Sequence, residues 1–334
     1  MVTYVGKEVG PIGYGLMSLT SFGKNYSTEH AIECMKAALE AGANVWNGGE
    51  FYGTPDRNSL HLVKAYFERY PEDAQRVVLS IKGCTSGVSE GRPTPDNSPA
   101  AIRAGVDYCL CILAGTKSID VYEPARRDHR VPVSDMMGAL QALVDEGKIG
   151  AIGLSEVSAS TIREAAKYAP IRGGVEVEFS AWFTDILDNG VAATCAELDI
   201  PIIAYSPLGA GFLTGQIKSY EDFEPTDFRR HCPRFQPDVF DINLQLVRAI
   251  EGLAKRKGVT PAQVALAWVV SHSGKPNLPT IIPIPGSANL ERIRENTTLV
   301  ELTSGEMEEI GSMLREFTPK GERYPEHAAK FNWG

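Results

Sequence analysis

The sequence contains no hydrophobic run long enough to cross a membrane, and no basic, apolar leader at its N-terminus. Positive charge is in deficit, with 33 basic against 42 acidic residues and a net charge of −9. The lysines and arginines are scattered singly or in pairs, so the sequence shows no basic patch that would bind the phosphate backbone of a nucleic acid. These absences argue against membrane and nucleic-acid partners, and they favour a cytoplasmic protein.

Cysteine and histidine are scarce, with six of each in 334 residues. The cysteines are far apart except for Cys109 and Cys111, which lie in an apolar helical pattern rather than in a paired metal-ligand spacing. The histidines show no H-E-x-x-H or similar spacing. We therefore expect reduced thiols and no metal site.

Strand-like and helical segments alternate from end to end. After a short N-terminal hairpin between Tyr4 and Val9, eight strands are predicted: Ile12–Leu16, Asn44–Trp46, Val77–Lys82, Ile119–Tyr122, Ala151–Leu154, Val175–Glu178, Ile202–Tyr205 and Ile281–Ile284. Amphipathic patterns follow them, with apolar residues three and four positions apart, as at Ile102, Val106 and Cys109. Such alternation predicts parallel strands joined by helical crossovers.

Eight such units close most naturally as one (β/α)8 TIM barrel over residues 1–334, and a doubly wound open sheet is the alternative. The position of the glycine-rich stretches decides between them. GPIGYG at 10–15 is a weak dinucleotide fingerprint, because no helix follows it. Glycine and serine cluster instead in SPLGAG (206–211) and PGSAN (285–289), after the last two strands, where barrel enzymes often bind phosphate. The sequence therefore favours the barrel.

Two long irregular stretches are expected at the carboxyl face of this barrel, Cys84–Ser98 and Pro207–Asp238. Loops of that length in a compact domain usually act as lids or binding loops. The tail beyond Thr318 carries Tyr324, Phe331 and Trp333. It is either a further covering segment or a disordered end.

Tyr52 and Lys82 are the polar residues near strand ends that suggest chemistry, because reacting groups in such barrels lie at the carboxyl ends of strands. A phenol has an ordinary pKa of about 10 and a lysine of about 10.4. A nearby ammonium favours the ionised phenol, so Lys82 is expected to bring the pKa of Tyr52 toward the range of a useful general acid. The competing interpretation is a packed tyrosine and a solvated lysine.

The chain resembles the aldo-keto reductases over almost its whole length. The resemblance rests jointly on GANVWNGGEFYG (42–53), VVLSIKG (77–83), SIDVYEPARRD (118–128), GKIGAIGLSEVSA (147–159), VEVEFSAW (175–182), LDIPIIAYSPLGAGFLTG (198–215) and IPIPGSANLERIRENT (282–297). It implies a barrel that binds NADPH/NADP+ without a separate dinucleotide-binding domain and reduces small-molecule aldehydes and ketones. The combination of WNGGEFYG with EPARRD is similar to the fungal pyridoxal reductase branch.

By this resemblance Tyr52 matches the family's proton donor and Lys82 its activating lysine. Asn47 stands where the family has an aspartate, and Ala125 stands where it has a histidine. An amide carries no charge to offset the lysine, so Glu50 is a candidate carboxylate if its loop folds back. The two departures are interpreted as a subfamily trait. The alternative is lost catalysis, which would leave a low-turnover NADP(H)-binding sensor.

The resemblance also implies a cofactor site formed by Ser155, Glu176, Tyr205, Ser206, Leu208, Gly211, Ser287, Asn289, Arg292, Glu295 and Asn296. Tyr205 would stack on the nicotinamide, and Ser155 and Glu176 would hold its carboxamide. The residues of the 206–211 loop would lie against the pyrophosphate. Arg292 would pair with the 2′-phosphate at a helix start, so NADPH is expected over NADH, and the residues that follow would contact the adenine.

Trp46, Phe51 and Trp182 lie at or near strand ends and could wall an aromatic slot for a flat aldehyde. Core packing is the alternative for Trp46. The prediction is therefore reduction of pyridoxal to pyridoxine, by hydride transfer from nicotinamide C4 with Tyr52 as general acid. Two alternative functions stay open, a broad-specificity aldehyde reductase and a phosphate-binding barrel isomerase. The oligomeric state is not predicted, and a monomer is compatible with the sequence.

Overall fold

The computed structural model describes residues 2–20, 26–89, 92–326 and 333. Its strands are β1 (Val2–Tyr4), β2 (Lys7–Val9), β3 (Tyr14–Gly15), β4 (Val45–Gly49), β5 (Gly53–Thr54), β6 (Arg57–Asn58), β7 (Val78–Gly83), β8 (Thr85–Ser89), β9 (Arg92–Pro95), β10 (Ile119–Pro124), β11 (Ile149–Ile152), β12 (Leu154–Ser155), β13 (Val175–Glu178), β14 (Ile202–Tyr205) and β15 (Ile281–Pro283). Its α-helices are α1 (Thr28–Glu40), α2 (Ser59–Arg69), α3 (Pro99–Leu113), α4 (Val133–Asp145), α5 (Ala159–Ala165), α6 (Val191–Glu197), α7 (Pro237–Lys257), α8 (Pro261–Val270), α9 (Leu290–Thr297) and α10 (Ser304–Glu316).

Two parallel sheets, in the orders β11-β10-β7-β4-β3 and β12-β13-β14-β15, join into one barrel. Gly13 N donates to Pro283 O at 2.8 Å, and this bond connects the last strand to the first. The strands β11 and β12 are two parts of one barrel strand, separated by Gly153, whose N–H donates to Tyr122 O at 3.0 Å. The barrel therefore has eight strands, and the predicted fold class is confirmed.

The predicted N-terminal hairpin is present as the antiparallel pair β1 and β2. Tyr4 and Val9 of this hairpin are buried, and they pack with the inward side chains Val45, Val121 and Ile203 of the barrel. The Tyr4 hydroxyl also donates to a backbone carbonyl of the barrel, at 2.8 Å. The hairpin thus closes the amino-terminal end, which leaves the carboxyl end for the site.

Strand alternation sets which side chains enter the barrel, because successive residues face opposite sides of a strand. On β13, Val175 and Val177 pack outward into the main core beneath the helices, so Glu176 and Glu178 between and beyond them point inward. The same alternation turns polar residues of β4, β7 and β10 inward. A polar layer therefore lies above the apolar layer that the hairpin closes.

Parts of the predicted irregular stretches carry regular structure. The prediction of an irregular loop between Cys84 and Ser98 is wrong, because β8 and β9 pair there as an antiparallel hairpin. The second stretch contains four short 3-10 helices between Phe212 and Phe235, and α7 begins at its end. The tail packs back on the barrel through Arg323 and Tyr324, whereas residues 327–332, with Phe331, and residue 334 lie outside the described part.

None of the described helices is long and apolar enough to span a membrane. Within the same residues, histidine, cysteine, aspartate and glutamate form no group of three or more that could hold a metal ion.

Candidate functional site

Four inward side chains meet near the carboxyl end of the barrel: Asn47, Lys82, Glu123 and Glu176, from β4, β7, β10 and β13. We refer to them as the strand cluster, and each is at most 6% exposed. Glu176 accepts hydrogen bonds from the Lys82 ammonium and, at 2.6 Å, from Asn47 Nδ2. Asn47 Nδ2 also lies 3.5 Å from Glu123 Oε1. The anion beside Lys82 therefore comes from the second sheet.

The expectation that Glu50 offsets the charge of Lys82 is wrong. Glu50 accepts hydrogen bonds from the backbone N–H and the hydroxyl of Thr85, at 3.3 and 3.2 Å. Its side chain therefore turns toward the hairpin formed by β8 and β9. The alternation of β13 already points Glu176 into the barrel, and that carboxylate occupies the place the sequence left open.

Tyr52 follows β4 and is 8% exposed, with its hydroxyl 3.2 Å from the donating Lys82 Nζ. Burial raises the pKa of Tyr52 above its ordinary value, and Lys82 opposes this rise without cancelling it. The predicted influence of Lys82 is present, but the predicted net lowering is wrong because desolvation outweighs it. Burial is the largest single effect on Lys82 and disfavours its charged form, yet Glu176, Tyr52 and Glu123 together outweigh burial and hold the pKa of Lys82 above its ordinary value. Near neutral pH the phenol is therefore protonated and the ammonium charged.

Ala125 is buried at the end of β10, and its methyl group leaves this position without a hydrogen-bond donor. The next residue, Arg126, donates from Nη1 to Ala125 O at 2.6 Å. Burial disfavours the charged form of Arg126, but its neighbours Tyr205 and Glu156, among others, outweigh burial and hold its pKa above the ordinary value. A fixed cation thus lies beside the position of the family's histidine.

A second buried group of charges consists of Glu156, Glu178, Arg234 and Arg323, and we refer to it as the tail cluster. Arg323 donates to Glu156 Oε2 at 2.8 Å and to Glu178 Oε2 at 3.2 Å, and Arg234 donates to Glu178 Oε1 at 3.0 Å. The Tyr205 hydroxyl donates to Glu156 at 2.9 Å. Burial alone would raise the pKa of Glu156, but Arg323 and Arg126, with the hydrogen bond from Tyr205, together outweigh burial and hold that pKa below its ordinary value. The tail is thereby tied to the residue expected to stack on the nicotinamide.

The tail reaches this position through contacts to its backbone. Asn243 of α7 accepts from Lys320 N and donates to Lys320 O, each at 2.9 Å. Gly321 has a φ of +82° and lies against Pro233, where a Cβ would be 2.6 Å from the proline backbone. Tyr324, three positions further along, places its hydroxyl 3.1 Å from that of Tyr205. Arg323 had no predicted role, and the sequence offered only the short charged stretch GERYPE as a signal.

The residues predicted to hold the nicotinamide and pyrophosphate fit such a ligand. Ser155 Oγ is buried and has no hydrogen-bond partner among the described residues, and a buried polar atom of this kind suits a ligand carboxamide. In the predicted phosphate loop, Ser206, Ala210 and Gly211 have φ values of +48°, +54° and +90°. Left-handed residues in a tight turn gather backbone N–H groups into an anion-binding concavity. Leu208 is nearly buried within this loop.

The predicted adenosine end lies at the start of α9. Asn289 caps this helix by accepting from Arg292 N at 3.0 Å, and Ser287 Oγ accepts from Asn289 N at 3.1 Å. Arg292 is exposed, and its guanidinium donates to Gln216 from the long loop before α7. Further along the helix Asn296 is buried and Glu295 half-buried. A helix N-terminus with an accessible arginine is suited to a phosphate group.

The three aromatic residues predicted to wall a substrate slot lie in different environments. Trp46 is fully buried, donates from Nε1 to Ala43 O at 2.9 Å, and packs in the core beneath α2, so the core-packing alternative is the one that the structure supports. Trp182 is buried in an aromatic cluster, stacked on Phe212 at 4.5 Å. Phe51 is half-buried and contacts the edge of the Tyr52 ring, with centroids 5.0 Å apart.

Comparisons with known proteins agree with this geometry. Residues 11–315 match a family model described as the Aldo/keto reductase family. A Schizosaccharomyces pombe protein named "Probable pyridoxal reductase 2" is 40% identical over 326 residues, which is 96% of each chain. A Saccharomyces cerevisiae protein named "Putative pyridoxal reductase" is 36% identical over 333 residues, which cover 93% of this chain and 95% of the relative. The structure of glycerol dehydrogenase from Gluconobacter oxydans has a TM-score of 0.80 at 21% identity and covers 94% of each chain, which supports the fold.

Proposed function

This chain belongs to the aldo/keto reductase family, and we propose that it reduces pyridoxal to pyridoxine with NADPH and uses Tyr52 as the general acid. The observation that carries the proposal is the hydrogen bond from Lys82 to the buried hydroxyl of Tyr52, 3.2 Å long, at the carboxyl end of the barrel. The two fungal relatives named as pyridoxal reductases support the choice of aldehyde.

The direction of that hydrogen bond matters for proton transfer. Because Lys82 donates to the Tyr52 oxygen, the hydrogen of Tyr52 itself is free to point at a carbonyl oxygen. Burial keeps the pKa of Tyr52 above its ordinary value, so the hydroxyl carries its proton throughout the neutral range. As the carbonyl oxygen gains negative charge, Tyr52 protonates it, and the Lys82 ammonium stabilises the phenolate that remains.

The cofactor supplies the hydride for the carbonyl carbon, and this chain supplies its binding groups. Ser155 would bond the carboxamide, and the ring of Tyr205 would face the nicotinamide. The 206–211 loop would hold the pyrophosphate with backbone N–H groups. Arg292 would pair with the 2′-phosphate, and this charge-assisted contact gives NADPH its advantage over NADH.

The substrate would lie over Tyr52. Phe51 borders this position, and Ala125 leaves room where a larger side chain would project. Tyr324 of the tail adds an aromatic ring beside Tyr205. Aromatic walls with a few fixed polar groups are suited to a flat ring that carries an aldehyde.

The direct test is the fall in NADPH absorbance when purified protein is mixed with pyridoxal. We expect turnover with NADPH, slower turnover with NADH, and a kcat lowered by about 10²–10⁴-fold in Tyr52→Phe, because the general acid is gone. The matched control is Tyr108→Phe, which removes the hydroxyl of an exposed tyrosine on α3 and should keep wild-type activity.

A panel of aromatic and aliphatic aldehydes separates this proposal from its rivals. Pyridoxal should have the highest kcat/KM, whereas equal values across the panel would identify a broad-specificity aldehyde reductase. Tight NADPH binding without turnover of any carbonyl compound would instead identify a nucleotide-binding sensor. Full activity in Tyr52→Phe would remove the assigned acid.

A further inference from the structure

The anion beside the active-site lysine reaches it across the barrel. Lys82 and Asn47 lie on the hydrogen-bonded neighbours β7 and β4, whereas Glu176 lies on β13 in the other sheet. Both oxygens of Glu176 are engaged, Oε1 by Lys82 and Oε2 by Asn47 Nδ2 at 2.6 Å. The carboxylate is fully buried, so these contacts hold it in one orientation.

A buried ammonium needs an opposite charge close by, since removing it from water without one is costly. Asn47 cannot provide that charge, and Glu50 is turned toward Thr85. The ion pair of Lys82 found among the described residues is with Glu176. The amide of Asn47 contributes differently, because it donates a hydrogen bond that fixes the carboxylate.

Glu123 completes the charge balance of the strand cluster. Burial and the adjacent Glu176 raise the pKa of Glu123 well above its usual range, which favours the neutral form of its carboxyl group. Among the described residues, the phenols of Tyr4, Tyr52 and Tyr205 also face the pair, and the ring of Tyr205 lies 5.4 Å from Lys82 Nζ. One ammonium is thus matched by one carboxylate.

We propose that Glu176 is the positioning residue that keeps Lys82 charged during the proposed reduction, and that Asn47 and Glu176 act as one amide and carboxylate pair. Exchanging the two groups across their hydrogen bond, in N47D/E176Q, would keep one amide, one anion and the same bond. In this proposal Glu176 holds Lys82 instead of the nicotinamide carboxamide, because both of its oxygens are occupied. Ser155 remains available for the carboxamide.

The test compares E176Q, N47D and N47D/E176Q by the pH dependence of kcat for aldehyde reduction, and it rests on the proposed function. Without its anion, Lys82 loses its proton at lower pH, so the alkaline fall of kcat should move to lower pH in E176Q. At neutral pH kcat should fall by about tenfold or more, as part of the general-acid contribution is lost. N47D/E176Q should regain most of that activity and the wild-type pH limb. N47D alone adds a carboxylate beside Glu123 and Glu176, and it should be less active than the double variant.

The matched control is E308Q, the same exchange at an exposed glutamate of α10 that pairs with Arg315. Its alkaline limb should stay at the wild-type pH. A wild-type pH profile in E176Q overturns the inference, as does a stably folded double variant no more active than E176Q. If E176Q is too unstable to purify, N47D/E176Q is compared directly with wild type. The pH at which its kcat falls on the alkaline side then decides the question. Failure of the wild-type protein to turn over any aldehyde would refute the proposed function instead.

Discussion

The strand cluster and the tail cluster lie at the same end of the barrel, but they balance their charges differently. The strand cluster sets one ammonium against the two carboxyl groups of Glu123 and Glu176, whereas the tail cluster sets two guanidinium groups against two carboxylates. Burial raises the pKa of Glu123 well above its usual range, while at Glu156 the combined effect of Arg323, Arg126 and the hydrogen bonds to its carboxylate exceeds that of burial and the pKa is lowered. The number of nearby cations therefore decides whether a buried carboxyl group keeps its proton.

The two clusters also differ in the segments that build them. The strand cluster is formed wholly by hydrogen-bonded barrel strands, so the groups beside Tyr52 are held rigidly. The tail cluster depends on Arg323, which is 167 residues from Glu156 in sequence and belongs to a segment without regular structure. The proposed proton chemistry thus depends on a fixed scaffold, whereas the tail completes the side of the site proposed to bind the nicotinamide.

The largest expected effect comes from breaking the balanced cluster. In Arg323→Met, Glu156 loses its main partner while buried, and removal of one member of a buried pair costs about 3–5 kcal/mol of unfolding free energy. Because Tyr205 and Tyr324 adjoin this pair, the KM for NADPH should rise as well. Urea unfolding and steady-state kinetics measure the two quantities.

The matched control is Arg315→Met, which removes an exposed arginine that pairs with Glu308 on α10. Exposed pairs contribute about 0–1 kcal/mol, so this variant should unfold close to wild type. Equal stability losses in the two variants would mean that the burial of Arg323 adds nothing to its pairing.

The same contrast explains what could be predicted from the sequence. The predicted parallel barrel placed Asn47 and Lys82 near the carboxyl ends of their strands, and the pairing of Tyr52 with Lys82 was predicted from this position and from the family resemblance. The partner of Lys82 was not predicted, because alternation gives the face on which Glu176 lies but not which strands meet across the barrel. That depends on the stagger of the closed sheet.

Two other misses have different physical origins. Trp46 lies one residue before an inward position, so alternation assigned it to the outer core, although nearness to the strand end had suggested a substrate wall. Arg323 belongs to a segment with no periodic pattern, and its contacts with Glu156 and Glu178 are long-range ion pairs. Local sequence signals carry no information about contacts of that kind.

The prediction with an effect of intermediate size concerns an exposed cation, in contrast to the buried Arg323. Arg292 is solvent-accessible, so Arg292→Ala should leave the unfolding free energy almost unchanged, in contrast to Arg323→Met. Loss of a charge-assisted contact to the 2′-phosphate should weaken NADPH binding by about 1.5–3 kcal/mol, which is roughly tenfold to more than a hundredfold in Kd. NADH binding should change little, and fluorescence titration with both cofactors measures this. Arg294→Ala, also on α9 and exposed, is the control, and equal losses for NADPH and NADH would contradict the assignment.

The smallest expected effect tests the charge imbalance of the strand cluster directly. Glu123 keeps its proton in the folded protein because its pKa is raised, whereas in the unfolded chain it ionises near pH 4.3, roughly the ordinary value for glutamate. The folded state therefore binds more protons, and this group makes stability fall as pH rises above that point. Glu123→Gln keeps a neutral hydrogen-bonding group and removes this dependence.

Its unfolding free energy should exceed that of wild type at neutral pH, and the gain should grow toward alkaline pH. Glu156 provides the opposite sign, because its lowered pKa adds stability above the ordinary glutamate value and loses it as pH falls. Glu156→Gln should therefore destabilise most at neutral pH and least in acid. Urea unfolding of both variants between about pH 4 and pH 9 gives the two slopes. Slopes of the same sign would show that the two clusters do not differ in proton occupancy, and the contrast between them would then have to be sought in packing alone.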